Sequence, residues 1–341
     1  MMQTSRRRWL RSLLVAAIAL AAVIGGALWW LGAQFPSERL RPLIADQVQQ
    51  RTGREFAIRG PLAIRLLPRI AVVADDVVLG NATWGSRREM LSVGRARLAV
   101  AIGPLLRGRL VVSEVALDRV DLLLETDRRG AGNWVFDAAG RPAAEPAAGE
   151  GAALQVAVEQ VQLRDARVTW RDGRSGTSRV VDLAMAELEP DGATARLAAQ
   201  LRLESTAWTI DGRIGRLEDL GATQADWPIE LRATAAGAEL ALAGQLKAGS
   251  APRTLAAAAS ATLTKPEALA PWTTAAVPLP LSLQARVEAR AGSLTADELK
   301  LSVAGQALTG RATVATEGTP RVDVQLAARS IDLGRWLPAA T

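Results

Sequence analysis

The sequence predicts a mostly β protein: an N-terminal transmembrane helix and a short amphipathic helix, then a long, curved, antiparallel sheet of degenerate repeats. Three observations carry that expectation. Residues Leu13 to Leu31 run for nineteen positions without a charge. From Phe56 onward apolar residues recur at every second position, the period of a strand whose successive side chains face opposite ways. An apolar residue two before a glycine returns at Ile210 with Gly212, Leu242 with Gly244 and Leu308 with Gly310. The glycine spacings of 32 and 66 set a period near 33, which suits units of two or three short strands in a stacked array.

The apolar run comes first in the chain. At about 1.5 Å per helical residue it reaches roughly 28 Å, close to the ~30 Å hydrocarbon core of a bilayer. Its membrane-anchor positions are Leu13, Leu14, Val15, Ile18, Leu20, Val23, Ile24, Leu28, Trp29, Trp30 and Leu31. A cleaved signal peptide is the competing reading, but signal cores are only about 7–15 residues long. The best small-residue cleavage site would end at Ala33 and has the bulky Leu31 two positions before it. Trp9 at one end and Trp29, Trp30 and Phe35 at the other put amphipathic rings where a retained span meets water. A buried core helix would carry a polar stripe, and this run has none. Arg6, Arg7, Arg8 and Arg11 precede it, with no acid before Glu38. The positive-inside rule then predicts a single-pass protein of a bacterial inner membrane, its N-terminus cytoplasmic and its bulk periplasmic.

Composition narrows the function. The formal charge of +6 is unevenly placed: four of 41 basic residues lie in residues 1–36, which hold no acid, leaving 37 basic against 35 acidic. Such a balance does not support a nucleic-acid footprint. The chain has neither cysteine nor histidine. That removes a disulfide framework, Cys/His zinc sites, cysteine nucleophiles and the Ser–His dyad.

After the anchor (residues 1–36), a first module is read over 37–136. Leu40, Leu43, Ile44 and Val48 share one helical face, with Ser37 as N-cap and Gly53 just past the end. This amphipathic helix is expected to pack on the first strands rather than lie in lipid, because it is short and its polar face mixes acids with bases. Strand-like blocks follow at 56–67 and 70–79, split by Pro68, then the Asn81–Gly85 connection NATWG. Ala96, Leu98, Val100 and Ile102 point one way, and Arg95 and Arg97 the other. The segment Leu110–Glu125 alternates with two phase slips, at Ser113–Glu114 and Asp118–Arg119, which suit bulges in a curved strand. Residues 137–153, rich in Ala, Pro, Gly and Glu, form a linker.

A repetitive β region is read over 154–341. VALDRVDLLL (Val115 to Leu124) and VQLRDARVTW (Val161 to Trp170) share one frame with the same slip, one structural unit used twice. Candidate strands are 154–158, 161–170, 180–188, 197–203, 208–214, 229–233, 239–246, 281–290, 299–303, 308–314 and 322–327. The alanine run Thr254–Thr262 leans helical, and the Pro-rich Pro271–Pro280 is expected to interrupt the sheet or cover an edge.

These marks resemble the N-terminal module of the AsmA-like proteins. The matching ones are T-G-R before the first strand, the Pro68 break, N-A-x-W-G at Asn81–Gly85, P-L-L-x-G at Pro104–Gly108 and G-x-x-N-W-x-F at Gly130–Phe136. They occur in the family's order across about a hundred residues, and the segment after Leu299 resembles a recurring family segment. The resemblance implies an inner-membrane anchor followed by a β-sheet folded into a taco-like groove, and larger relatives are thought to carry phospholipid between the inner and outer membranes. Family members continue past such a segment, whereas this chain stops at Thr341.

Tests for chemistry come back empty. No nucleotide-binding glycine loop, nucleophile elbow or S-x-x-K motif is present. Asp75 and Asp76 are strand neighbours expected on opposite faces. Asp118 and Asp121 read as solvated turn carboxylates, and Asp172 in DGRSG lacks the spaced acids of a calcium loop. The expectation is a non-catalytic protein with no cofactor or metal, binding phospholipid in an apolar trough. The candidate lining is Leu98, Val100, Ile102, Leu163, Val168, Leu201, Leu203, Leu242 and Leu246, each of which has core packing as its competing role. Trp84 and Trp134 read as turn-packing residues. The alternative function is an assembly factor for outer-membrane proteins or other envelope components that carries no lipid itself.

Overall fold

The computed structural model describes residues 37–65, 70–101, 111–136, 157–219, 225–249, 254–269, 277–290, 292–315, 321–330 and 332. The apolar run, its flanking arginines, Pro104–Gly108, Ile102 and the 137–153 linker lie outside these. Among the described residues no helix is long and apolar enough to cross a membrane.

The first element is a helix, α1 (Ser37–Thr52). It ends as its glycine predicts: Gly53 takes φ +67, and its N–H reaches the Gln49 carbonyl at 2.7 Å. The absence of a Cβ is what makes that left-handed stop inexpensive. α1 packs on β1 (Phe56–Ile58) and β2 (Leu62–Arg65), the contact expected from its mixed polar face.

Everything after α1 builds one sheet of sixteen strands among the described residues. The long strands continue with β3 (Ile70–Gly80), β4 (Glu89–Val100), β5 (Val111–Glu125), β6 (Ala157–Arg171) and β7 (Ser178–Asp191). Then come β8 (Thr194–Leu203), β9 (Thr206–Gly215), β10 (Trp227–Ala235), β11 (Ala238–Leu246) and β12 (Leu255–Leu263). The last are β13 (Leu281–Arg290), β14 (Ser293–Val303), β15 (Gln306–Ala315) and β16 (Arg321–Ala328). Spatial order follows chain order, with β1 and β2 both on β3. One edge is covered by α1 and two very short strands. The other, β16, is open among the described residues, with Val322 65% exposed.

The sheet departs from the antiparallel expectation at one junction. β5 and β6 run parallel, and the two copies of the repeated frame lie in register: Val115 beside Val161, Leu117 beside Leu163, Val120 beside Ala166, Leu124 beside Trp170. Repeating a pattern in the same direction repeats its facing, so a parallel pair joined by a long crossover aligns the copies. The sheet therefore runs unbroken from the first module into the repetitive region.

Of the two predicted phase slips, the first is a bulge and the second is a left-handed residue that keeps the register. Ser113 is the extra residue where β4 meets β5, and Arg119 has φ +53. Asp76 and Asp165 have φ +52 and +50, and the registers put Asp76, Gly94, Arg119, Asp165 and Ala184 in one row across β3 to β7. Asp76 therefore departs from the simple alternation assumed for Asp75 and Asp76. Asp118 and Asp121, expected in a turn, lie within β5; Asp121 accepts a hydrogen bond from Arg87 Nη2 at 2.8 Å.

Two further expectations are corrected. The alanine run is no helix but the central strand β12, paired over nine residues on each side. Alanine's helical preference is a few tenths of a kcal/mol per residue, which two complete ladders outweigh. The Pro-rich segment does not interrupt the sheet, since β12 pairs directly with β13 on either side of it; of it, residues 277–280 are described. Its end closes the sheet's margin instead: Leu279 packs with Trp208, Ala238 and Leu263, and the Pro280 carbonyl accepts the Ala304 N–H at 2.9 Å.

Candidate functional site: the apolar face of a single-layered sheet

Apart from α1 on β1 and β2 and the short helical turn Leu217–Asp219 on β6, the strands pack chiefly on their ladder neighbours, and no second sheet covers them among the described residues. Even so, the two faces differ. Along β10 the burial alternates strictly, with Trp227, Ile229, Leu231, Ala233 and Ala235 shielded and Pro228, Glu230, Arg232 and Thr234 exposed. A flat single layer would expose both faces alike, so one face must be shielded by the sheet's own curvature.

The bends have identifiable causes. A row of left-handed residues (Asp76, Arg119 and Asp165) re-aims β3, β5 and β6 together, and bulges bend the sheet at Ala184 where β7 meets β8 and around Glu298 (φ +50) in β14. Elsewhere glycines serve. A Cβ on Gly212, Gly244 or Gly310 would stand 2.0, 2.2 or 1.9 Å from the carbonyl oxygen of Glu230, Ala256 or Gln325 on the adjoining strand. No side chain fits at that approach. The recurring glycines thus fall on β9, β11 and β15, one strand of successive hairpins, on the apolar face where neighbouring backbone closes in.

All eight described lining candidates lie on this face. Register carries one row from Leu98 through Val115 and Val161 to Leu188 and Leu197. Leu163, Val168, Leu201 and Leu203 join the same face through Ala186, Val181, Trp208 and Thr206, and Leu242 and Leu246 through Leu231 and Trp227. They are not equally open. Leu201 and Leu203 pack around Trp208, and Leu163 packs on the Val93–Val120–Ala166 cluster. Leu98 is 42% exposed, and Val100, Val168, Leu242 and Leu246 are half-buried. Sequence alternation found the face but could not rank its positions, because packing across the bend is a tertiary property.

The opposite face is an ion ladder. Asp121, Arg167, Asp182 and Arg202 stand side by side on four consecutive strands, alternating in sign, with Arg167 Nε 2.7 Å from Asp182 Oδ1. Arg95 reaches Asp75 at 2.8 Å and Arg213 reaches Asp191 at 3.1 Å. Exposed pairs of this kind contribute at most about 1 kcal/mol each. Their larger effect is on facing: a one-residue slip would carry these charges onto the apolar side. A depression of about 670 Å³ lies along this charged row and the bulges beside it.

The family-like motifs converge on a buried polar knot. Asn133 is 0% exposed. Its Oδ1 accepts the Glu125 N–H at 3.0 Å, and its Nδ2 donates to the Leu123 carbonyl and to Asn81 Oδ1, both at 2.9 Å. Glu125 Oε1 in turn accepts from Asn81 Nδ2 and the Ser86 N–H at 2.8 Å. Burial pushes the Glu125 carboxyl up, but the bonds from Ser86 and Asn81 and the charge of Arg171 outweigh it and hold its pKa below the usual glutamate value. A depressed pKa means stability that is present above the unfolded-state value, about 4.3, and lost as pH falls through the folded-state value. Asp75 and Asp127 shift the same way, through the Arg95 and Ala131 hydrogen bonds. The urea midpoint should therefore fall as pH drops from 5 toward 3, and Glu125→Gln should reduce that dependence. A dependence unchanged in the variant would remove Glu125 from the account.

Asp172 is engaged within its own turn and with Thr126. Its oxygens accept from the Arg174 N–H, Ser175 Oγ and Thr126 Oγ1 at 3.0, 2.7 and 3.1 Å. Among the described residues no group of three or more acids comes together at metal-binding distance. Trp134 stacks on Trp170 with ring centroids 5.2 Å apart, whereas Trp84 is exposed.

These features define a class: large open β-sheets of a single layer, apolar on one face and ion-paired on the other, entered through a short helix. The sequence comparison supplies the family. The AsmA family model matches residues 7–219, more than half of the chain, and the protein belongs to the AsmA family. The comparison with curated proteins returned no match.

Proposed function

We propose that this is a non-catalytic protein of the bacterial cell envelope that holds phospholipid acyl chains on the apolar face of its sheet and passes them between the inner and outer membranes. The observation that carries the reading is the continuity of that face. It extends over fifteen ladder-linked strands with no layer covering it among the described residues, roughly 65 Å at ~4.8 Å per strand. A ten-residue strand spans about 33 Å. Bent near its middle, it offers two arms of roughly 16 Å, close to the ~15 Å that an acyl chain fills in half of a ~30 Å core. Apolar attraction is non-directional, so such a face would take many lipids without a dedicated polar residue. In this reading Leu13–Leu31 anchors the chain in the inner membrane and delivers α1 and the sheet to the periplasm.

Lipid analysis of the purified full chain tests the proposal. Native mass spectrometry should find copurifying phospholipid, and Leu242→Glu or Leu98→Glu should reduce it several-fold while the protein stays folded, since neither belongs to the clusters around Trp208 or Val93. Leu201→Glu should unfold the protein instead, because it packs against Trp208. Absence of lipid from the wild type would overturn the reading. It would favour an assembly factor for outer-membrane components, to which the edge of β16, open among the described residues, offers unpaired backbone groups.

A further inference from the structure

Three stretches of the sequence share a composition that the fold brings together. Trp84 is followed by Arg87 and Arg88, Trp134 is preceded by Arg128 and Arg129, and Trp170 is followed by Arg171 and Arg174. The loops that hold them lie side by side at one margin of the sheet. Asn133 ties the second loop to Asn81 of the first at 2.9 Å. The Gly173 N–H and the Arg174 Nη2 tie the third to Thr126 Oγ1 and the Arg129 carbonyl of the second, at 3.0 and 2.7 Å. Trp134 stacks on Trp170 across them.

The surface this makes is amphipathic in a particular way. Trp84, Trp134, Val135, Phe136 and Trp170 are between 37% and 57% exposed, Trp170 at the end of β6 on the same face as Val168. Arg88, Arg128, Arg129, Arg171 and Arg174 stand exposed among them. The aspartates of the last two loops are turned inward. Asp127 accepts the N–H groups of Arg129 and Ala131, both at 2.8 Å, and Asp172 is occupied by Arg174, Ser175 and Thr126. Arg88 pairs with the exposed Glu55 at 3.5 Å, so the outward positive charge of this margin comes mainly from Arg128, Arg129, Arg171 and Arg174. Arg54, two residues past α1, donates to the Asn133 carbonyl at 3.3 Å, so this margin adjoins the point where the helix joins the sheet.

We propose that this margin is a docking surface for an anionic phospholipid bilayer. The indole and phenyl rings would enter the interfacial region, where amphipathic aromatics are favoured. The guanidinium forks would meet lipid phosphates, the planar anion geometry that arginine matches best. Exposed arginines near a negatively charged surface gain roughly a fivefold affinity each, falling with salt. Docking sets the margin of the sheet against headgroups, beside the apolar face. The inference stands apart from lipid carriage: a chain with an empty apolar face would still dock.

The test uses the full chain held in nanodiscs of neutral phosphatidylcholine, cosedimented with sucrose-loaded vesicles. Vesicles with about a third phosphatidylglycerol should bind at least about tenfold more tightly than phosphatidylcholine vesicles, and 0.5 M salt should remove most of the difference. Arg128→Glu/Arg129→Glu/Arg174→Glu should lose at least about tenfold on anionic vesicles. Arg128→Glu alone, which keeps the Arg174–Arg129 bond and the Arg171 charge beside Glu125, should lose a smaller multiple with unchanged thermal unfolding. Trp84→Ser/Phe136→Ser should weaken binding to both vesicle types. Equal binding to neutral and anionic vesicles, or full binding by both charge variants, would overturn the docking surface. Copurified phospholipid measured on the same variants reports separately on the apolar face.

Discussion

Replacing Asn133 with alanine is expected to cost about 3–5 kcal/mol, a large part of the ~5–15 kcal/mol that holds a domain folded. The side chain is fully enclosed and serves three partners at once: the Glu125 N–H, the Leu123 carbonyl and Asn81 Oδ1. Alanine deprives the Glu125 N–H and the Leu123 carbonyl of this partner with no room for solvent, and takes one of two donors from Asn81 Oδ1, which keeps the Ala82 N–H at 2.8 Å; each unsatisfied buried group costs about 1–3 kcal/mol. Asn133→Asp should do no better, because its second oxygen would face the Leu123 carbonyl and Asn81 Oδ1, where donors are required. The knot also fixes the loop that places Trp134 against Trp170. Near-ultraviolet dichroism from that pair should therefore weaken together with the denaturant midpoint. A variant with an unchanged midpoint would show that the knot is not what closes the first module.

The second large effect is expected at the glycines of the apolar face. A Cβ at Gly212, Gly244 or Gly310 would meet the carbonyl of the adjoining strand at about 2 Å, far inside contact distance. The obstacle is backbone rather than a side chain that could rotate away. Forcing such a contact costs typically 1–3 kcal/mol per site, and the sites are far enough apart to add. The triple alanine variant should thus lose roughly 3–9 kcal/mol, enough to unfold the sheet or flatten it. Arg213→Ala, on the opposite face beside Gly212, should change stability by less than about 0.5 kcal/mol. If the triple variant melts with the wild type, the glycines do not make the bend.

Much of this was legible in the sequence because period-two alternation is a local signal. The slips at Ser113 and Arg119 showed in the spacing of apolar residues alone; the first is a bulge and the second a left-handed residue in an unshifted register. The shared frame at Val115 and Val161 marked one unit used twice, but not that the copies lie parallel, since direction is set by a crossover and not by the frame. β12 was missed because LAAAASATL has no alternation to detect; alanine serves both faces where strands crowd, and only the ladders on either side identify it. Among the lining candidates the sequence found the face and missed its centre of packing. Trp208 is buried beneath Leu201 and Leu203 through contacts that span β8 to β13. The margin of tryptophans and arginines was in plain view three times over, yet each tryptophan alone looks like turn packing. Their common surface exists only once the three loops are side by side.

The central claim is that the half-buried apolar face, and not its charged reverse, receives acyl chains. Photo-crosslinking at adjacent positions tests it most directly. A benzophenone side chain introduced at Leu242 points to the apolar face, and one at Ala243 points to the charged face of the same strand. Irradiation of the full chain in cells should attach phospholipid at 242 and at 98, and leave 243 and 97 without it. Lipid captured equally at 242 and 243, or at neither, would contradict the account.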